Sequence, residues 1–351
     1  SRTVRVQEGS YLSLQKCYVP LVTLILSNIG FAQVGIDFYA DRTITILVGS
    51  GAGGTTDLTG RLIAQHIKKF IPGNPSIIVQ NMPGGGSVTM TNHIARSAPR
   101  NGTVLGYSLP GIITAQLMEP ERAKYDGREL NWIGSALKYT GIISVLHTAP
   151  VTTLEGAKHT ELFIGSTGRG SPAYQFPAMA QALLGLKFNI ITGYESSSDV
   201  VLAMERGEVH GQSSSLQYWA VSRPNWLTDG RIAHLLYVGP PDSLALPNVP
   251  YLHDLVSTER EKALTEFIEI GSNLGWPLFA PPDVPVDRIK DLRVAFSTLV
   301  VDPDFLDAIE NTIQARVNPS IGNELAEFVN QALNTPDSIL SEAKNILGLD
   351  Q

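Results

Sequence analysis

The sequence predicts an α/β protein built of two open sheets with crossover helices, and two observations carry that prediction. Short β-branched runs such as Thr43-Ile-Thr-Ile-Leu-Val48 have the pattern of strands buried on both faces of a parallel sheet. Each such run is followed by a glycine-rich turn and then by apolar residues at helical spacing, which is the repeat of a crossover unit. The length of 351 residues fits about two domains, and 43% hydrophobic with 17% charged residues excludes disorder for most of the chain. The 32 Gly and 22 Pro follow no fixed period, so they mark loops and not a fibrous repeat.

The elements follow in order. After the run at 43–48, the turn Gly49-Ser-Gly-Ala-Gly-Gly54 leads to Leu58, Leu62, Ile63, Ile67 and Phe70 at helical spacing, with Thr55, Thr56 and Asp57 at the helix start. Residues 76–80 form a second strand, Pro83-Gly-Gly-Gly86 a second turn and residues 87–98 a second helix. Strands at 104–108 and 132–137 complete the first set. A second set follows Pro150, with strands at 161–165, 188–192, 209–213 and 231–238 and helices ending at Leu184 and spanning 199–205. A helix over 262–271 precedes a returning strand at 275–280. Helices over 285–301, 303–313, 320–333 and 337–347, separated by Pro303, Pro319 and Pro336, then complete the first domain. The layout is thus discontinuous: first lobe, second lobe, first lobe again.

The N-terminus carries Arg2, Arg5 and Lys16 before an apolar stretch from Cys17 to Ile29, with Gly30 and Ala32 at the −3 and −1 positions of a cleavage site. This reads as a signal peptide over 1–32; about 13 apolar residues interrupted by Pro20 and Asn28 fall short of the ~20 a membrane span needs. Its removal takes away a net charge of +2, leaving −9, together with Cys17, the one cysteine. A single cysteine forms no internal disulfide and builds no thiolate zinc site. The net charge of −7 without any Lys or Arg block argues against nucleic acid as a partner.

Three glycine-rich turns, at 49–56, 83–87 and 165–171, each follow a strand's carboxyl end and open a helix. Open α/β sheets bind ligands at that edge. Small residues let backbone amides approach a ligand, and helix N-termini favour an anion. Hydroxyls of Ser50, Thr55, Thr56, Ser87, Ser166, Thr167 and Ser171 add donors, so a carboxylate can be held without an arginine. Such turns also need glycine for purely structural reasons. Asp57 reads two ways, as a helix-start carboxylate or as a ligand contact, and Arg169 either pairs with a ligand or sits at a solvated loop tip. Glu195 disfavours a polyanion. Tyr107, Tyr194, Tyr218 and Trp219 are candidates for the cleft wall, although the core is the commoner place for such residues.

The turn at 49–54 also satisfies GxGxxG, but Gln80 and Asn81 stand where a dinucleotide site needs an acid. No P-loop Gly-Lys, HExxH or GxSxG motif occurs, and the seven His are scattered. The expectation is a non-enzyme with no catalytic residues, no cofactor and no metal.

At this point the motifs Ala52-Gly-Gly-Thr-Thr-Asp57, Arg61-Leu-Ile-Ala64, Val79-Gln-Asn-Met-Pro-Gly-Gly-Gly86, Ala95-Arg-Ser-Ala-Pro99, Gly165-Ser-Thr-Gly168, Arg206-Gly-Glu-Val209, Leu246-Pro-Asn-Val-Pro250 and Leu278-Phe-Ala-Pro281 come into view together. In number and order they resemble the tripartite tricarboxylate transporter substrate-binding family, the Bug or TctC-type receptors. The resemblance implies a two-lobed periplasmic-binding-protein-like (type II) fold with an interlobe cleft: 1–32 signal peptide, 33–141 and 276–351 the first lobe, 142–275 the second, with crossing strands near 142–146 and 276–280. It implies a periplasmic, monomeric receptor that passes a small carboxylate to membrane transporter subunits, or one coupled to a sensor. By position it assigns ligand contacts to Gly53, Gly54, Thr55, Asp57, Gly84, Gly85, Gly86, Ser166, Thr167 and Ser171. The chain departs from the family at Ala52, where proline is usual, at Ser50, where an aromatic is usual, and at Glu195, where lysine is common. An enzyme with a nucleotide or anion site at the same turns is the remaining alternative.

Overall fold

A computed structural model describes residues 37–240 and 248–349. The expected signal peptide, Cys17 and the start of the motif at 246–250 lie outside the described residues. The strands are β1 (Thr43–Val48), β2 (Ser76–Asn81), β3 (Val104–Tyr107), β4 (Asn131–Ser135), β5 (Gly141–Leu146), β6 (Leu162–Ser166), β7 (Phe188–Thr192), β8 (Gly211–Ser215), β9 (Ile232–Val238), β10 (Pro277–Ala280) and β11 (Ser320–Ile321). They form two sheets, ordered β11-β4-β10-β3-β1-β2 and β7-β6-β8-β5-β9. Apart from the short edge strand β11, the two orders match: a second strand, a first, a third, an antiparallel strand, and a last. The antiparallel position is held by β10 in the first sheet and by β5 in the second.

The central strands are buried because helices cover both faces. Helix α1 (Thr55–Ile67) places Ile63, Ala64 and Ile67 against Ile44, Ile46 and Val48, and the helices Val286–Leu299 and Pro303–Ile313 close that layer with Phe296, Phe305 and Ile309. Helix α2 (Val88–Arg96) covers the other face through Met90 and Ile94. That second layer continues without a break into the other sheet, so Trp132 and Phe279 share a core with Ile143, Val145, Phe176 and Leu235. The last helix, Asp337–Leu347, packs on the helices Pro172–Leu184 and Glu259–Ile268 and also on Ile112–Met118, burying Ala343 and Leu347. The helices Ile112–Met118 and Leu216–Ser222, and the short ones Leu154–Ala157, Pro224–Thr228 and Leu252–Leu255, were not anticipated from the sequence.

The chain passes between the sheets at Leu137–Thr140 and again at Trp276, and the two passages are bonded to each other. The Tyr139 N–H donates to the Ser272 carbonyl at 3.0 Å, and the Tyr139 ring lies edge-on to Trp276 at 5.4 Å. Gly275 makes this approach possible: its φ is +68°, and a Cβ there would stand 1.9 Å from the Leu137 carbonyl oxygen. Gly275→Ala is therefore expected to cost about 3 kcal/mol, combining overpacking with a left-handed alanine. Urea denaturation measures this, and a loss under about 0.5 kcal/mol would contradict the close approach.

In the second sheet, His234 is mostly buried and its Nδ1 lies 2.8 Å from the Ser144 hydroxyl on the neighbouring strand. Burial lowers its pKa to about 4 from the ordinary 6.5. The unfolded chain thus takes up a proton between these values that the fold refuses, so stability is complete above pH 6.5 and falls as pH drops toward 4. His234→Asn is expected to shrink that acid-side loss by up to about 3 kcal/mol, read from urea midpoints across the pH range.

Candidate functional site

The register of the first sheet brings the first two glycine turns together. Val48 pairs with Asn81 and with Tyr107, so β1, β2 and β3 end level and their turns leave from one edge. In the second sheet Ser166 pairs with Thr192 and Gly165 with Gln212, which sets the third turn beside the one at 193–196.

Asp57 is the hub of the first turn. It is 3% exposed. One carboxylate oxygen accepts the Gly53 N–H at 2.9 Å, the other accepts Asn81 Nδ2 at 2.8 Å, and the Arg61 Nε lies 3.0 Å from both. Burial opposes its ionisation, but the bonds from Arg61, Gly53 and Asn81 prevail and hold the carboxyl below the ordinary range. Asn81 also donates to the Ser50 carbonyl at 3.0 Å and accepts Arg61 Nη2 at 3.0 Å. These partners give Asp57 a role in shaping the turn, with its oxygens directed at protein donors. Asn81, where a dinucleotide site would place its acid, is a brace between two turns.

The second turn is a run of left-handed backbone. Gly84, Gly85, Gly86 and Ser87 have φ of 140°, 56°, 66° and 80°. Three glycines accept this at little cost; Ser87 accepts it because its hydroxyl is fully used. Ser87 is buried, and its Oγ donates to the Gly49 carbonyl and accepts the Leu109 N–H, both at 2.9 Å. One hydroxyl thus joins the turns after β1, β2 and β3. Thr56 adds a further tie: its Oγ1 accepts the Trp276 indole N–H at 3.0 Å, coupling the start of α1 to the passage between the sheets.

Gly53, Gly54, Gly84, Gly85 and Gly86 are exposed, and Thr55, Thr167 and Ser171 half-exposed. Ser166 is wholly buried, and its hydroxyl has no hydrogen-bond partner. The third turn is closed internally, since the Thr167 hydroxyl donates to Ser171 Oγ at 3.0 Å and Ser171 Oγ donates to the Gly168 carbonyl at 2.8 Å. Arg169 reaches the Gly348 carbonyl at 2.7 Å, at the carboxyl end of the last helix, where a cation suits the helix dipole. Tyr107 and Trp219 belong to the core, with 1% and 0% exposure, and Trp219 stacks on Trp226; Tyr194 and Tyr218 keep part of their surface open. Glu195 is exposed. A groove of about 380 Å³ lies elsewhere, between Phe267, Ile270, Phe328, Pro336 and Ile339, and none of its lining residues belongs to the turns. Among the described residues no group of three acid, His or Cys side chains is placed to hold a metal ion, and no helix is long and apolar enough to cross a membrane.

No family model matches the sequence. The "UPF0065 protein in gbd 5'region" of Cupriavidus necator is 26% identical over 285 residues, covering 79% of this chain and 80% of its own. Among solved structures, the periplasmic binding protein BugD superposes with a TM-score of 0.68 at 19% identity, over 89% of this chain and 99% of its own. A TctC solute binding protein from Polaromonas gives 0.63 at 20% identity, over 88% and 99%. MatC from Rhodopseudomonas palustris, solved with bound malate, gives 0.64 at 19% identity, over 87% and 99%. The fold is therefore that of the two-lobed periplasmic binding proteins. Within that class the chain is similar to the Bug and TctC-type proteins, in agreement with the resemblance carried by its motifs. BugD and the Polaromonas protein are binding proteins by name.

The Ser87 network yields a direct test. Ser87→Ala strands a buried carbonyl and a backbone N–H, at an expected cost of about 2–4 kcal/mol. Ser87→Gly loses the same bonds but relieves the left-handed strain, so it is expected to be about 1 kcal/mol milder. Denaturant titration of both variants checks the order; equal stability of wild type and Ser87→Ala would remove this tie.

Proposed function

We propose that the protein is a non-catalytic, extracytoplasmic solute receptor that binds a small carboxylate between its two sheets and delivers it to a tripartite tricarboxylate-type membrane transporter. The observation that carries the reading is the edge formed by the first two turns, where exposed glycine backbone is held rigid by buried side chains. Rigid, outward-facing amides stabilise an anion without reorganising when it arrives. In this reading Gly54, Thr55, Gly84, Gly85 and Gly86 contact the carboxylate, Thr167 and Ser171 approach from the other sheet, and Asp57, which already takes the Gly53 N–H, holds the first turn in shape. Ser166 acts from beneath the third turn. The malate found in MatC supports the ligand class, and the BugD neighbour supports a periplasmic setting, as does the basic-then-apolar N-terminal sequence. A ligand held from both sheets would shift the protein toward a closed form by as much as it binds that form more tightly than the open one.

A thermal-shift screen of mono-, di- and tricarboxylates tests the reading. A ligand present at about 100 times its Kd is expected to stabilise the fold by about 2.7 kcal/mol. No response to any acid in the panel counts against a carboxylate receptor. Gly85→Val is expected to abolish the response while the protein stays folded, because a β-branched residue is strained at this φ and fills the turn. An unchanged affinity would take the second turn out of the site.

A further inference from the structure

An ion pair that sequence reasoning passed over lies between the second turn and the third. Glu119 and Arg122 follow the helix Ile112–Met118, and the Arg122 guanidinium is paired with the Glu119 carboxylate. The segment is pinned to α2, the helix that the second turn opens: Asn92 donates to the Arg122 carbonyl at 2.9 Å and accepts the Lys124 N–H at 2.7 Å. On one side, Arg122 Nη2 stands 3.0 Å from the position a Cβ on Gly85 would take. On the other, Glu119 Oε1 stands 3.2 Å from the corresponding position on Gly170. A single pair of opposite charges therefore spans from a ligand-candidate turn of the first sheet to one of the second.

We infer that Arg122 is a specificity-determining residue that takes a second acid group of the ligand, with Glu119 holding the guanidinium in place when that group is absent. This rests on the carboxylate-receptor reading above. The glycine turns offer amides and hydroxyls suited to one carboxylate, while the chain as a whole carries −7 and opposes a dianion. A local guanidinium offsets that field, and its planar fork matches a carboxylate with two parallel bonds. Arg122 is well placed for exchange: its side chain is 57% exposed, while Glu119 is 20% exposed and already shows that a carboxylate fits beside the guanidinium. A ligand acid replaces one ion pair with another, which a neutral group in the same place has no means of doing.

The test is calorimetric titration of the whole protein with linear C4 to C8 dicarboxylates, each matched with its monoamide, against wild type, Arg122→Gln and Glu119→Gln. Wild type is expected to prefer the best-bound diacid over its monoamide by about tenfold or more. Arg122→Gln is expected to erase that preference by weakening the diacid alone, and Glu119→Gln to strengthen diacid binding several-fold. Equal effects of Arg122→Gln on diacid and monoamide, or no effect on either, overturn the assignment while leaving the receptor reading intact. Failure of wild type to bind any acid overturns both together. Both side chains are largely outside the core, and unchanged melting temperatures confirm that the variants are folded.

Discussion

Asp57 accepts hydrogen bonds from a glycine in its own turn, from an arginine one helical turn later and from an asparagine at the end of the next strand. Through these bonds the loop after β1 and the end of β2 become one rigid piece. The constraint is geometric: a glycine-rich loop keeps one conformation only if its polar groups are satisfied by partners behind it. Asp57 and Asn81 supply that backing for the first turn, and the Ser87 hydroxyl extends it to the second turn and to the residues after β3. The exposed glycines at 84–86 are conformationally permissive residues held in one conformation by buried neighbours.

The charges around this edge are arranged in neutral pairs. Asp57 is matched by Arg61, and Glu119 by Arg122. Partly exposed pairs such as these contribute little to stability, roughly 0–1 kcal/mol each, so their value lies in position more than in strength. An acidic protein thereby presents an edge whose local charge is close to balanced. The Trp276–Thr56 bond ties the same edge to the passage between sheets.

The elements that were legible in the sequence are those whose burial is periodic. The runs at 43–48 and 76–80, their glycine turns and the helices behind them were readable because strand, turn and helix each leave a local signature. The returning strand at 277–280 was readable from its apolar run between Gly275 and Pro281. What was hidden depends on contacts between distant residues. Asn81 becomes a brace only through its register opposite Val48, which no local pattern encodes. Arg122 and Glu119 sit in a polar stretch that resembles any solvated loop, and only the approach of Gly85 and Gly170 gives them a place. Arg169 finds its partner 179 residues away. Tyr107 and Trp219 show the converse limit, since an aromatic at the end of a strand or the start of a helix reads the same whether it turns inward or toward a cleft.

The position of β10 also bears on how the chain reaches this structure during synthesis. Because β10 lies between β3 and β4, the first sheet stays split until about residue 280 has been made. Until then β3 presents an unsatisfied edge that includes Gly106, with no side chain to shield it, and β4 has no place in the sheet. The second sheet is contiguous in sequence, from β5 to β9, and is free to form first. In that order the first two glycine turns, braced by residues up to Leu109, wait only for the Trp276–Thr56 bond, while the open edge of β3 makes the nascent first sheet the species most exposed to edge-to-edge association.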